Sequence, residues 1–218
     1  MPSVLLLGAT GLVGSATLRL LRDDPAFPRV VTLTRRPLAG VTHPKLDARV
    51  GDLEQLDTLA DAFAVDAVIC ALGTTIKQAG SRERFRAIDY DIPLRAATLA
   101  RSRGARHYLY VSSLGADPRS PVFYSRTKGE LEDALRGVGF PRLSIMRPSL
   151  LLGPRAELRP GERLAQLFGF LPLGKYTAIP AADVAAALVR LTKDDGTGER
   201  IVESAEMRAW ARAARAGH

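Results

Sequence analysis

An apolar strand that runs straight into three glycines spaced three apart constrains this chain more than any other feature. Val4-Leu5-Leu6-Leu7 leads into Gly8, Gly11 and Gly14 follow, and Val13, Ala16 and Leu20 keep helical spacing behind them. The pattern is strand, tight turn, helix. Gly8 permits the turn, Gly11 lets the backbone approach a pyrophosphate, and Gly14 lets helix and strand pack closely. The helix N-terminus offers unpaired N–H groups to the anion. Such a triplet also fits an ordinary strand-to-helix turn. Its position directly after an apolar strand favours a dinucleotide-phosphate site.

Apolar runs and helical segments alternate along all 218 residues with no linker between them. That alternation predicts one α/β domain over residues 1–218, a doubly wound parallel sheet of the Rossmann type. Further strands are expected at Arg29–Leu33, Ala48–Val50, Asp66–Leu72, His107–Val111, Leu143–Met146 and Arg200–Glu203. Arg82–Arg101 is a long amphipathic segment in which Pro93 is expected to kink or restart the helix. The apolar segment 155–178, with Leu164, Phe168 and Leu171, is expected to form a short C-terminal lid over a substrate. Packing as core and a dimer contact are its alternatives. Asp183 is expected to cap the helix that follows, and Glu206–His218 to dock as a terminal helix with a solvated arginine face.

The composition, 46% hydrophobic and 25% charged, is that of a globular chain. No apolar run reaches the roughly 18 residues of a membrane span, and no basic region precedes the first strand, so a cytoplasmic protein without membrane contact is expected. The single cysteine, Cys70, sits among Val68, Ile69 and Leu72 and is expected to be buried. His43, His107 and His218 are too scattered for a metal site. A net charge of +8 invites a nucleic-acid reading, but aromatic residues are only 6% and do not interleave with the basic ones. A cofactor carrying several phosphates is the better use for that charge.

The end of the second strand meets the adenosine ribose in this architecture, where an acid would hold a 2′-hydroxyl and an arginine a 2′-phosphate. Arg35 and Arg36 stand there, which predicts NADP(H). Asp52, after the third strand, either meets the adenine or caps the following helix. Leu72 and Gly73, closing the fourth strand, are expected to floor the cofactor site. Ser112 and Ser113 close the fifth strand, and Tyr124 and Lys128 lie one turn apart on the next helix. A nearby ammonium lowers a tyrosine pKa and makes the phenol a usable general acid or base, while a serine hydroxyl can hold the substrate oxygen.

In this order, the motifs resemble the short-chain dehydrogenase/reductase superfamily in its atypical branch. Cys70-Ala71-Leu72-Gly73-Thr74-Thr75, Ser112-Ser113-Leu114-Gly115, Lys128-Gly129-Glu130 and Arg147-Pro148-Ser149 look closest to its Tat-interacting-protein oxidoreductase group. The resemblance spans roughly residues 3 to 205. It implies NADPH contacts at Thr10, Gly11, Leu12 and Val13, at Arg35 and Arg36, at Leu72 and Gly73, and at Tyr124 and Lys128. Arg147 and Arg155 would follow near the nicotinamide, and Tyr124 would be the proton acceptor. The superfamily's catalytic asparagine has no counterpart, and of the two serines Ser113 is preferred over Ser112 by analogy with the sugar epimerases. The implied activity is NADP(H)-dependent hydride transfer to or from a small carbonyl or alcohol. An NADPH-binding regulatory protein, acting through a homodimer or another protein partner without turnover, is the alternative. The C-terminal part is too short for a nucleotide-sugar epimerase.

Overall fold

A computed structural model describes residues 1–153 and 177–216. Its strands are β1 (Val4–Leu7), β2 (Val30–Thr34), β3 (Leu46–Val50), β4 (Ala67–Cys70), β5 (His107–Val111), β6 (Arg142–Arg147), β7 (Leu151–Leu152), β8 (Ile179–Pro180) and β9 (Gly198–Glu203). Seven of them form one sheet in the order β3-β2-β1-β4-β5-β6-β9, and each neighbouring pair is parallel. The chain builds outward from β1 to β3, then crosses back to β4 on the other side of β1. The crevice of such a sheet opens at the carboxyl ends of the strands flanking that reversal.

Burial on both faces explains why the strands read as continuous apolar runs. Val4 and Leu6 point to one side, where they pack with α1 (Leu12–Asp23). Leu5 and Leu7 point to the other, towards Ile92, Ala96 and Ala100 and towards Leu131 and Leu135. The helices of that second face are α2 (Ile76–Ala79), α3 (Arg82–Arg86), α4 (Ile92–Ser102) and α5 (Phe123–Gly137). On the first face α6 (Ala181–Thr192) and α7 (Ser204–Ala216) join α1. Cys70 is fully buried, as its neighbours predict, and burial pushes its thiol up.

Some expectations are corrected. Pro93 falls in the first turn of α4, which restarts at Ile92 after a π-helical turn over Ala87–Asp91 that the sequence did not announce; that first turn tolerates a residue without an N–H. The segment after Gly51 is a 3₁₀ helix over Leu56–Phe63 preceded by Gln55, so Asp52 does not cap it. The Asp52 carboxylate instead accepts the N–H of Glu54 at 2.9 Å and closes the turn upstream. Asp183 lies inside the first turn of α6, where it pairs with Arg215 of α7. The terminal helix does dock, burying Met207 and Ala211 and holding Trp210 between Arg190 and Arg200. Of its arginine face, Arg212 and Arg215 are exposed, Arg215 while pairing with Asp183, and Arg208 is half-buried and donates to the Thr177 carbonyl. The expected lid, with Arg155, lies outside the described residues save for Thr177 and Ala178.

Candidate functional site

The glycine turn is held by close packing. Gly8 adopts φ +85°, and a Cβ there would lie 2.5 Å from the Ala71 carbonyl oxygen of the neighbouring strand end. A Cβ on Gly14 would lie 2.0 Å from the Gly8 carbonyl oxygen, which fixes how near α1 comes to the turn. Gly11 plays the other part, since a Cβ there meets nothing closer than that same oxygen at 3.3 Å. Helix α1 begins with no side-chain cap and no acid in its first turn. Its leading N–H groups are therefore left for an anion.

Two adjoining cavities follow the carboxyl ends of the central strands. The larger, of about 830 Å³, is lined by Gly8 and Gly11, by Arg35 and Arg36, by Asp52, and by Leu72 and Gly73. The smaller, of about 310 Å³, is lined by Thr10, Gly11, Leu12 and Val13, by Leu72 and Gly73, and by Asp89, Ser112, Tyr124 and Lys128. The shared wall of Thr10, Gly11, Ala71, Leu72, Gly73 and Thr74 makes them one cleft. At its far end Arg35 and Arg36 are exposed, and neither pairs with a carboxylate among the described residues. Arg84, opposite, is tied to Glu54 at 2.6 Å.

At the near end the structure supplies a partner that sequence reasoning missed. Lys128 is 97% buried, and its Nζ lies 2.8 Å from Oδ1 of the fully buried Asp89. Nζ also donates to the Tyr110 hydroxyl at 3.0 Å, and the other Asp89 oxygen accepts the Thr74 N–H at 2.8 Å. Burial opposes the ammonium, but Tyr110, Asp89 and Tyr124 outweigh it and hold Lys128 well above the ordinary lysine value. Burial pushes the Tyr110 phenol up despite Lys128, so Tyr110 stays neutral, and Asp89 supplies the carboxylate paired with Lys128. Asp89 takes the helical position four beyond Phe85 and three before Ile92, both core residues.

The serines divide. Ser112 lines the smaller cavity, but its Oγ donates to Glu132 at 2.5 Å. Ser113 Oγ is buried and has no hydrogen-bond partner among the described residues. Gly129 lets α5 reach their loop, because a Cβ there would lie 2.3 Å from the Asp117 carbonyl carbon. The Tyr124 ring packs at 5.7 Å against Phe85. Gly14 packs the turn and does not line the cleft. Arg147 is not brought to the cleft either: it forks onto Glu132, with Nε at 3.1 Å and Nη2 at 2.5 Å. Glu132 is four residues beyond Lys128, on the same face of α5.

The NAD(P)H-binding family profile matches residues 8–195. The chain belongs to that NAD(P)H-binding family. Within it, the chain is 37% identical to Protein HTATIP2 of Rattus norvegicus over 203 residues, covering 90% of this chain and 84% of that protein. It is 35% identical over 210 residues to Protein FMP52, mitochondrial, of Candida albicans, covering 90% of each. Those relations bear out the resemblance read from the motifs. Among solved structures, MoeE5 in complex with UDP-glucose and NAD shares the fold at a TM-score of 0.72 and 20% identity, over 91% of this chain and 74% of that one. The Bordetella bronchiseptica enzyme WbmH in complex with NAD+ does so at 0.69 and 20%, over 94% and 76%. The NAD(P)H-binding chain thus shares its Rossmann fold with these two proteins. No helix among its described residues is long and apolar enough to cross a membrane.

Proposed function

We propose that this chain is an NADP(H)-dependent oxidoreductase of the atypical short-chain type, moving hydride between the cofactor and a small carbonyl or alcohol. The observation that carries this reading is one continuous cleft with two uncommitted guanidinium groups at one end and Tyr124 beside a buried ammonium at the other.

The residues present fit such a cofactor. The uncapped start of α1 and the open face of Gly11 receive a pyrophosphate. Arg35 and Arg36, free of carboxylate partners, suit a 2′-phosphate, for which a planar guanidinium offers paired donors. Lys128 donates one hydrogen bond to Tyr110, pairs with Asp89 at 2.8 Å, and keeps donor capacity for a ribose hydroxyl. A bound nicotinamide supplies or accepts the hydride. Tyr124 transfers the proton at its hydroxyl, with the positive charge of Lys128 one helical turn away. Ser112 lines the smaller cavity but is committed to Glu132, and Ser113, which lines neither cavity, is read as the serine for the substrate oxygen on its unpartnered Oγ alone.

The test is a screen of NADPH-dependent reduction across small aldehydes and ketones, run on the parent and on Tyr124→Phe. Turnover in the parent that falls by about 100-fold or more in the variant, with NADPH affinity kept, is expected for a lost general acid. Turnover that is unaffected by the substitution overturns the mechanism, and NADPH binding without turnover of any substrate favours a regulatory role.

A further inference from the structure

Asp89 is an ion inside the protein whose function is not explained by packing. Its carboxylate is fully buried, reaches Lys128 Nζ at 2.8 Å and the Thr74 N–H at 2.8 Å, and so joins the β4 turn to helix α5. Gly73 stands over the pair: a Cβ there would lie 3.6 Å from Asp89 Oδ1 and 3.9 Å from Lys128 Nζ. A buried amine without a counter-ion sheds its proton, because low polarity penalises the charged form. Of the other groups facing Lys128, Tyr110 from β5 and Tyr124 from α5 also favour the ammonium, but both are phenols, and Cys70 from β4 is a thiol that burial pushes up; Asp89 is the carboxylate paired with it.

We propose that Asp89 is the positioning residue of this site: its carboxylate keeps the buried Lys128 ammonium charged and fixed beside Tyr124, and it anchors the Gly73-Thr74 turn to that ammonium. The consequence for cofactor binding rests on the cleft's reading as a dinucleotide site. The effect on Lys128 does not.

The test reads Lys128 directly, by ¹³Cε-lysine NMR of the cofactor-free protein, with the resonance assigned by its loss in Lys128→Arg. In the parent it should stay in the charged position from pH 6 to 10. In Asp89→Asn, which keeps an oxygen for Thr74 but loses the charge, it should titrate with a midpoint below about pH 9. In Asp89→Glu it should remain charged. A resonance still charged at pH 10 in Asp89→Asn overturns the proposal. Should Asp89→Asn alone fail to fold, the double variant Asp89→Asn with Lys128→Met, which buries no ion, decides: recovered folding supports the proposal and continued failure overturns it. NADPH titration of Asp89→Asn adds a separate arm. Affinity should be at least about fivefold weaker at pH 9.5 than at pH 6.5, relative to the parent, as Lys128 loses its charge. A parent that fails to bind NADPH refutes the cofactor reading and leaves the lysine measurement intact.

Discussion

Replacing Glu132 with glutamine tests whether Arg147 serves the fold or the cofactor. Glu132 is 99% buried and accepts both nitrogens of the Arg147 fork together with the Ser112 hydroxyl. It ties α5 to the ends of β5 and β6. Breaking a buried pair by removing one partner costs about 3–5 kcal/mol. The Arg147 side chain retains 23% exposure and recovers part of its hydration, so about 2–3 kcal/mol is expected here. For a chain of this size that corresponds to a fall in Tm of about 5–10 °C. Thermal unfolding followed by circular dichroism should show this loss in Glu132→Gln and a similar one in Arg147→Met. The double variant should recover at least half of the summed loss, because no buried charge is left unpaired. NADPH affinity of Arg147→Met, measured well below its Tm, should stay within about threefold of the parent, the change expected where no charged contact is lost. An Arg147→Met variant that binds NADPH tenfold or more weakly while its Tm is unchanged would refute the reasoning and return Arg147 to the nicotinamide.

Gly14→Ala should cost about 1–3 kcal/mol and weaken NADPH at least tenfold, since its Cβ drives α1 away from Gly8; a variant matching the parent in both Tm and titration would contradict this. His107 is buried against Ser144, and burial, reinforced by the Arg142 charge, pushes its pKa down to about 3. The unfolded chain, with an ordinary histidine near 6.5, binds the extra proton between those values, so stability falls as pH drops from 6.5 towards 3. Denaturant unfolding at pH 7 and pH 4.5 should therefore show the parent losing about 2 kcal/mol more than His107→Gln, and equal losses would rule out the histidine as the cause.

The sheet was legible because a strand buried on both faces has no polar positions to blur its run, as β1, β4 and β5 illustrate. The cofactor turn was legible because only glycine fits at Gly8 and Gly14. What escaped were polar groups whose meaning depends on a distant partner. Asp89 sits between Ile88 and Tyr90 in a segment that also carries Asp91, and nothing local separates the buried acid from the solvated one. The π-helical turn that carries it is equally silent, although Pro93 does mark where α4 restarts. Glu132, flanked by Glu130 and Asp133, reads as part of a solvated charge run until Arg147 arrives from β6. The two serines look alike in sequence, and only the structure shows that this same carboxylate accepts the Ser112 hydroxyl while Ser113 Oγ has no partner among the described residues.

The proposed function depends on Arg35 and Arg36 selecting a dinucleotide with a 2′-phosphate. Equilibrium titration of NADPH and NADH by cofactor fluorescence, on the parent and on the Arg35→Ala, Arg36→Ala double variant at fixed salt, tests it most directly. The parent should bind NADPH at least about tenfold more tightly than NADH, as expected of one or two charge-assisted hydrogen bonds, and the double variant should lose that preference while keeping its NADH affinity. NADH binding as tightly as NADPH in the parent, or a preference that survives loss of both arginines, would contradict it.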